Sequence, residues 1–160
     1  MTSNLGGPSI NRIALLGSLH RFESTIQTWL GDTSAVEFAN VEFEDEDEDG
    51  EEERIRGRCT ASWDRTRDAY FQLSLVATEE MLIQAERAYH EVLHYADRVF
   101  DGLLPSGHAD AERFDQFAFE ASMGELRKNV AAATGLTEDD PRLDSSIGSR
   151  TRLGGTGARY

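Results

Sequence analysis

The residues best spaced for chemistry are His90-Glu91-Val92-Leu93-His94, an H-E-x-x-H pentapeptide. On a helix, histidines four residues apart project from one face and can share a zinc ion. The glutamate between them can then activate a metal-bound water as general base. The same helical phase aligns Arg87, His90, His94, Asp97 and Asp101 in one polar stripe, which reads equally as a solvated or subunit-facing surface. His20 stands alone beside Arg21 and reads as a surface residue. Cys59 is the single cysteine, which excludes an internal disulfide and a cysteine-rich metal site and leaves packing as its expected role. No G-x-S-x-G, phosphate loop or dinucleotide fingerprint occurs.

The second conspicuous feature is the run from Glu44 to Glu53, nine acids in ten residues interrupted by Gly50. Such a run reads as a solvated loop or as a docking surface for a basic partner; the spacing of an EF-hand calcium loop is missing. It belongs to a chain of 160 residues with 16 basic and 30 acidic side chains and a formal net charge of −14. That balance argues against gripping a phosphate backbone, so no direct nucleic-acid partner is expected. No apolar run is long enough to span a membrane, and no secretory leader is expected from the first residues. Of the basic residues all but Lys128 are Arg. Acid-rich and Lys-poor surfaces suit a salt-rich cytoplasm, where ions screen their self-repulsion; a GC-rich genome is the alternative.

The elements that must position these residues follow from periodicity. Ser9 can cap a first helix carrying Leu15, Leu19, Phe22, Ile26 and Trp29 on one stripe, with Gly31 at its C-terminal stop. Residues 35–43, 54–63 and 69–77 alternate as strands do. In the middle run Ile55, Gly57, Cys59, Ala61 and Trp63 share one face, and Phe71, Leu73 and Leu75 share one in the last. The acidic run 44–53 then becomes a hairpin loop. Thr78 can cap a second helix bearing the pentapeptide, with Leu82, Ala85, Tyr89, Val92, Ala96, Val99 and Phe100 inward. A third helix is expected from about Asp110 to Thr134, stopped by Gly135. The expected fold is thus α+β: a helix, a three-stranded antiparallel meander and two helices. It forms a single domain over 9–135, between an N-terminal arm, 1–8, and a Gly/Arg/Ser-rich arm, 136–160. Arg150, Arg152, Arg159 and Tyr160 would let that last arm grip the acidic surface of a neighbouring subunit.

Two resemblances bear on function. Phe71–Leu75 as a strand, then His90, Glu91 and His94, then His108 with Phe114, resembles the small SprT-like zinc metallopeptidases. It implies a zinc cofactor held by His90, His94 and His108 with Glu91 as catalytic base, in a cytoplasmic enzyme. The order helix, three-stranded sheet, helix over about residues 9–101, together with the arms, resembles tail-terminator and tail-completion proteins at the neck of tailed viruses. That resemblance implies a non-enzymatic, cofactor-free virion subunit from a halophilic host, assembled in the host cytoplasm and partnered by its own copies and neighbouring structural proteins. The assembly subunit is the reading adopted, and the metallopeptidase is its alternative.

Overall fold

A computed structural model describes residues 11–42, 50–100 and 114–143. Their elements are four α-helices, α1 (Arg12–Glu42), α2 (Glu51–Ser74), α3 (Glu79–Phe100) and α4 (Gln116–Thr134), followed by a short 3-10 turn at Pro141–Leu143. No strand occurs among the described residues, so the expected α+β fold is corrected to an all-helical one. None of these helices is long and apolar enough to cross a membrane.

A common spacing explains the helices. Buried positions recur in alternating steps of four and three residues, which keeps one stripe per helix facing inward. In α1 the stripe is Leu15, Leu19, Phe22, Ile26, Trp29, Thr33 and Val36. In α3 it is Met81, Ala85, Ala88, Val92, Tyr95 and Val99, and in α4 Phe119, Met123, Leu126 and Val130. The α2 stripe follows the same rhythm with small residues: Cys59, Ser62, Thr66, Ala69 and then Leu73.

The three expected strands fail for identifiable reasons. α1 does not stop at Gly31, because Thr33, Val36 and Ala39 prolong its buried stripe; an exposed helical glycine costs only about 1 kcal/mol, which packing offsets. Val36 and Phe38, assigned together to a strand face, separate: Val36 is buried and Phe38 exposed. In α2 the alternating set 55–63 breaks up likewise, with Cys59 buried but Gly57 and Ala61 exposed. In the expected third strand Leu73 is buried while Phe71 and Leu75 face solvent. Glu51, Glu52 and Glu53 are not loop residues but the first turn of α2, where carboxylates favour the positive end of the helix dipole. The rest of the acidic run, and Ser9, lie outside the described residues.

The end signals at Thr78 and Gly135 hold, whereas α1 is capped by Asn11 rather than the expected Ser9 and α4 begins at Gln116 rather than near Asp110. Asn11 caps α1 by accepting the Ala14 N–H at 3.1 Å, and the Thr78 hydroxyl accepts the Met81 N–H at 3.4 Å at the start of α3. Asp115 caps α4, and Gly135, at φ 74°, ends it in the left-handed conformation. Beyond it Leu136 still packs against the core and Leu143 is buried, seated by the turn that Asp140 and Arg142 close.

The helices pair as two hairpins, α1 with α2 and α3 with α4; α1 also packs on α3, whereas α2 and α3 touch sparsely. Arg21 bonds Asp68 and Thr33 meets Cys59, so α1 and α2 run antiparallel. At the centre, ring contacts chain Phe22 to Tyr70, Tyr70 to Tyr89 and Tyr89 to Trp29, with centroids 5.2–6.2 Å apart, joining three helices. Arg127 of α4 donates from Nε at 3.0 Å to the buried carboxylate of Glu23 on α1.

Candidate functional site

The H-E-x-x-H motif lies in mid α3, as its periodicity requires. His90 and His94 are exposed one turn apart, flanked along the same stripe by exposed Arg87 and Asp97, and Glu91 is half-buried on the shoulder. Inward of them Val92 and Tyr95 are buried, so the motif shares its helix with core positions. Asp101 and His108 lie outside the described residues. The segment expected to supply a substrate-binding strand, Phe71–Leu75, is the helical end of α2. Among the described residues no three His, Cys, Asp or Glu side chains converge as metal ligands. His20 is half-buried on α1, and its Nε2 is buried without a hydrogen-bond partner among the described residues.

An enclosed apolar cleft lies elsewhere, where α2 and α3 stand apart. α2 turns its small-residue stripe to α1, which leaves its Thr60 and Trp63 flank beside α3. The resulting cleft has a volume of about 260 Å³. Trp29 of α1 forms part of its lining; Cys59 and Trp63 come from α2, and Leu93, Asp97 and Phe100 from α3. Trp63 is fixed by its indole N–H, which donates to the Tyr89 hydroxyl at 2.7 Å. Burial pushes the Cys59 thiol up from its ordinary value and Asp32 adds to this, against the Thr33 hydroxyl 3.4 Å away, so the sulfur is held as a neutral thiol. Among the described residues Asp97 is the one charged member of the lining. Its carboxylate makes no hydrogen bond or ion pair with another described residue.

At the rim the guanidinium of Arg67 lies over the Trp63 ring at 5.0 Å, and that of Arg56 over the Phe100 ring at 5.2 Å. Both are neutralised, Arg67 by Asp64 and Arg56 by Glu52, with Arg56 also donating to the Asn40 side-chain oxygen at 2.6 Å. Asn40 in turn donates to the Val99 carbonyl at 2.9 Å, so one side chain ties α1, α2 and α3 together beside the cleft.

Sequence reasoning placed the cleft residues separately: Cys59 and Trp63 as strand packing, Phe100 as core, Asp97 as surface. A signal was present, because residues 59 and 63, and 93, 96, 97 and 100, fall at helical spacing on the border between an apolar and a polar face. What the spacing could not show is that these two borders meet. The predicted arm residues Arg150, Arg152, Arg159 and Tyr160 lie outside the described residues. No family model, curated protein or solved structure matches this chain.

Proposed function

We propose that this protein is a non-enzymatic assembly subunit that associates through one end of its helical bundle. The observation that carries this reading is a group of exposed apolar side chains at one end of the bundle, in a chain of net charge −14. Phe71 and Leu75 are 58% and 64% exposed one turn apart at the close of α2, and Ile83, exposed, follows across the short turn into α3. The Arg21–Asp68 pair brings the first turns of α1 to the same end, where Ile13 is 85% exposed. The core is complete without these side chains, so their burial awaits another surface. With a net charge of −14, two copies repel at low ionic strength, so apolar contact between them is favoured where salt screens that repulsion. The narrower expectation of a virion neck or tail subunit drew on a helix–sheet–helix order that the four helices do not supply. The assembly role does not depend on it.

Sedimentation velocity tests the proposal. The wild-type chain should show a concentration-dependent shift above monomer mass, and Phe71→Ser combined with Leu75→Ser should return it to monomer with helix content unchanged. A wild-type chain that remains monomeric at about 100 μM in both low and high salt would reject it.

A further inference from the structure

We propose that the cleft between α2 and α3 is a binding site for a compact quaternary ammonium ion carrying a short apolar arm. Three helices contribute aromatic rings to it: Trp29 from α1, Trp63 from α2 and Phe100 from α3. Ring faces attract weakly hydrated cations, and indole does so best. Two of these three rings already hold a guanidinium at 5.0–5.2 Å, so both take part in cation–π contacts in the folded chain. The charges of Arg56 and Arg67 are matched by Glu52 and Asp64, which leaves Asp97 as the uncompensated charge of the lining. An anionic ligand would meet that carboxylate and a chain of net charge −14, whereas a cation is attracted by both.

The polar inventory decides which cation. Apart from Asp97, the described lining side chains offer the Thr60 hydroxyl and the neutral Cys59 thiol as acceptors. A primary ammonium brings three N–H donors, and any left unmet in an apolar cleft are costly. A quaternary ammonium brings none, and its methyl groups suit the Leu93 and Ala96 wall. A volume of about 260 Å³ lies at the small end of ligand sites, enough for such an ion and a short arm but not for a large cofactor.

The chain carries two tryptophans, Trp29 and Trp63, and both line the cleft, so intrinsic fluorescence reports on this site directly. The full-length protein is titrated with choline and with benzyltrimethylammonium, and in parallel with dimethylbutanol, the neutral carbon isostere of choline. Expected is a saturable change in tryptophan emission for both cations. Asp97→Asn, an exposed isosteric change, should weaken them about tenfold, and Phe100→Leu should weaken them by a similar factor. Dimethylbutanol should bind more weakly than choline and equally to wild type and Asp97→Asn. The proposal is overturned if no saturable change occurs below about 10 mM, if dimethylbutanol binds as tightly as choline, or if Asp97→Asn leaves cation affinity intact. Because Phe71 and Leu75 do not line the cleft, the Phe71→Ser/Leu75→Ser protein should bind these cations normally. Assembly and ligand binding can thus fail separately.

Discussion

The two hairpins bury comparable helix faces by different means. Between α3 and α4 the contact is made by large apolar side chains: Val92, Tyr95 and Val99 against Phe119, Met123 and Leu126, with Phe114 wedged between Tyr95 and Phe119 at ring distances of 5.5 Å. Between α1 and α2 most of the large buried groups come from α1, and α2 answers with Cys59, Ser62, Thr66 and Ala69 before Leu73 and the Tyr70 ring close the contact. The hydroxyls on that stripe are not stranded. Thr66 donates to the Ser62 carbonyl and Ser62 to the Arg58 carbonyl, both at 2.8 Å, while Ser62 also meets the Asp32 carboxylate across the interface. A hydroxyl satisfied by its own helix four residues back can be buried at small cost. A helix can therefore have a well-packed inner face without a hydrophobic one, provided its partner supplies the volume.

The strongest way to break this comparison is to remove that volume. Trp29 is the largest fully buried side chain, and Trp29→Ala should cost about 3–5 kcal/mol in urea unfolding, because the neighbouring small residues cannot collapse into the space. A loss below about 1 kcal/mol would show that α1 does not carry the packing for both helices.

A smaller effect sharpens the register of α2. A strand would bury Ala61 and expose Ser62; the helix does the reverse. Ser62→Leu should therefore destabilise by about 1–3 kcal/mol through overpacking against α1, whereas Ala61→Leu should change stability by less than about 0.5 kcal/mol. Equal effects at the two positions, or the opposite order, would contradict the helical stripe.

The smallest effect lies at the edge of the bundle, where Leu143 is seated by a polar turn. Hydrogen bonds from the Arg142 side chain, and then from its backbone N–H, hold the Asp140 carboxyl down to about 2 from its ordinary 3.8. A lowered carboxyl favours the folded turn above its ordinary value, and that contribution fades as pH falls toward about 2. Between those limits the turn should loosen while the helices persist, seen as faster amide exchange at Leu143, whose N–H donates to the Asp140 carbonyl at 3.0 Å. Arg142→Ala should return the Asp140 titration, followed by NMR, toward its ordinary value. An unchanged titration would remove Arg142 from the account.

What the sequence determined by itself was whatever depends on near neighbours and on large side chains. The caps at Thr78 and Gly135, the carboxylates opening α3 and the first half of the α1 stripe are legible, because each needs only a helical period and a terminus. The α3 face is legible in part, since Ala85, Val92, Ala96 and Val99 are buried as expected while Phe100 is exposed and Met81, Ala88 and Tyr95 take inward places not assigned from the sequence. The exposure of His90 and His94 on one stripe follows from the same period. Tertiary structure decided the rest. Whether residues 54–63 alternate or wind depended on a partner, since Cys59, Ser62 and Thr66 gain burial only from the large side chains of α1. Likewise Gly31 ends no helix, because the packing of Thr33, Val36 and Ala39 outweighs one residue's weak propensity. The cleft was the least legible feature of all. Its walls lie at least 30 residues apart along the chain, and it exists only because α2 turns its smallest side chains to α1 and stands away from α3.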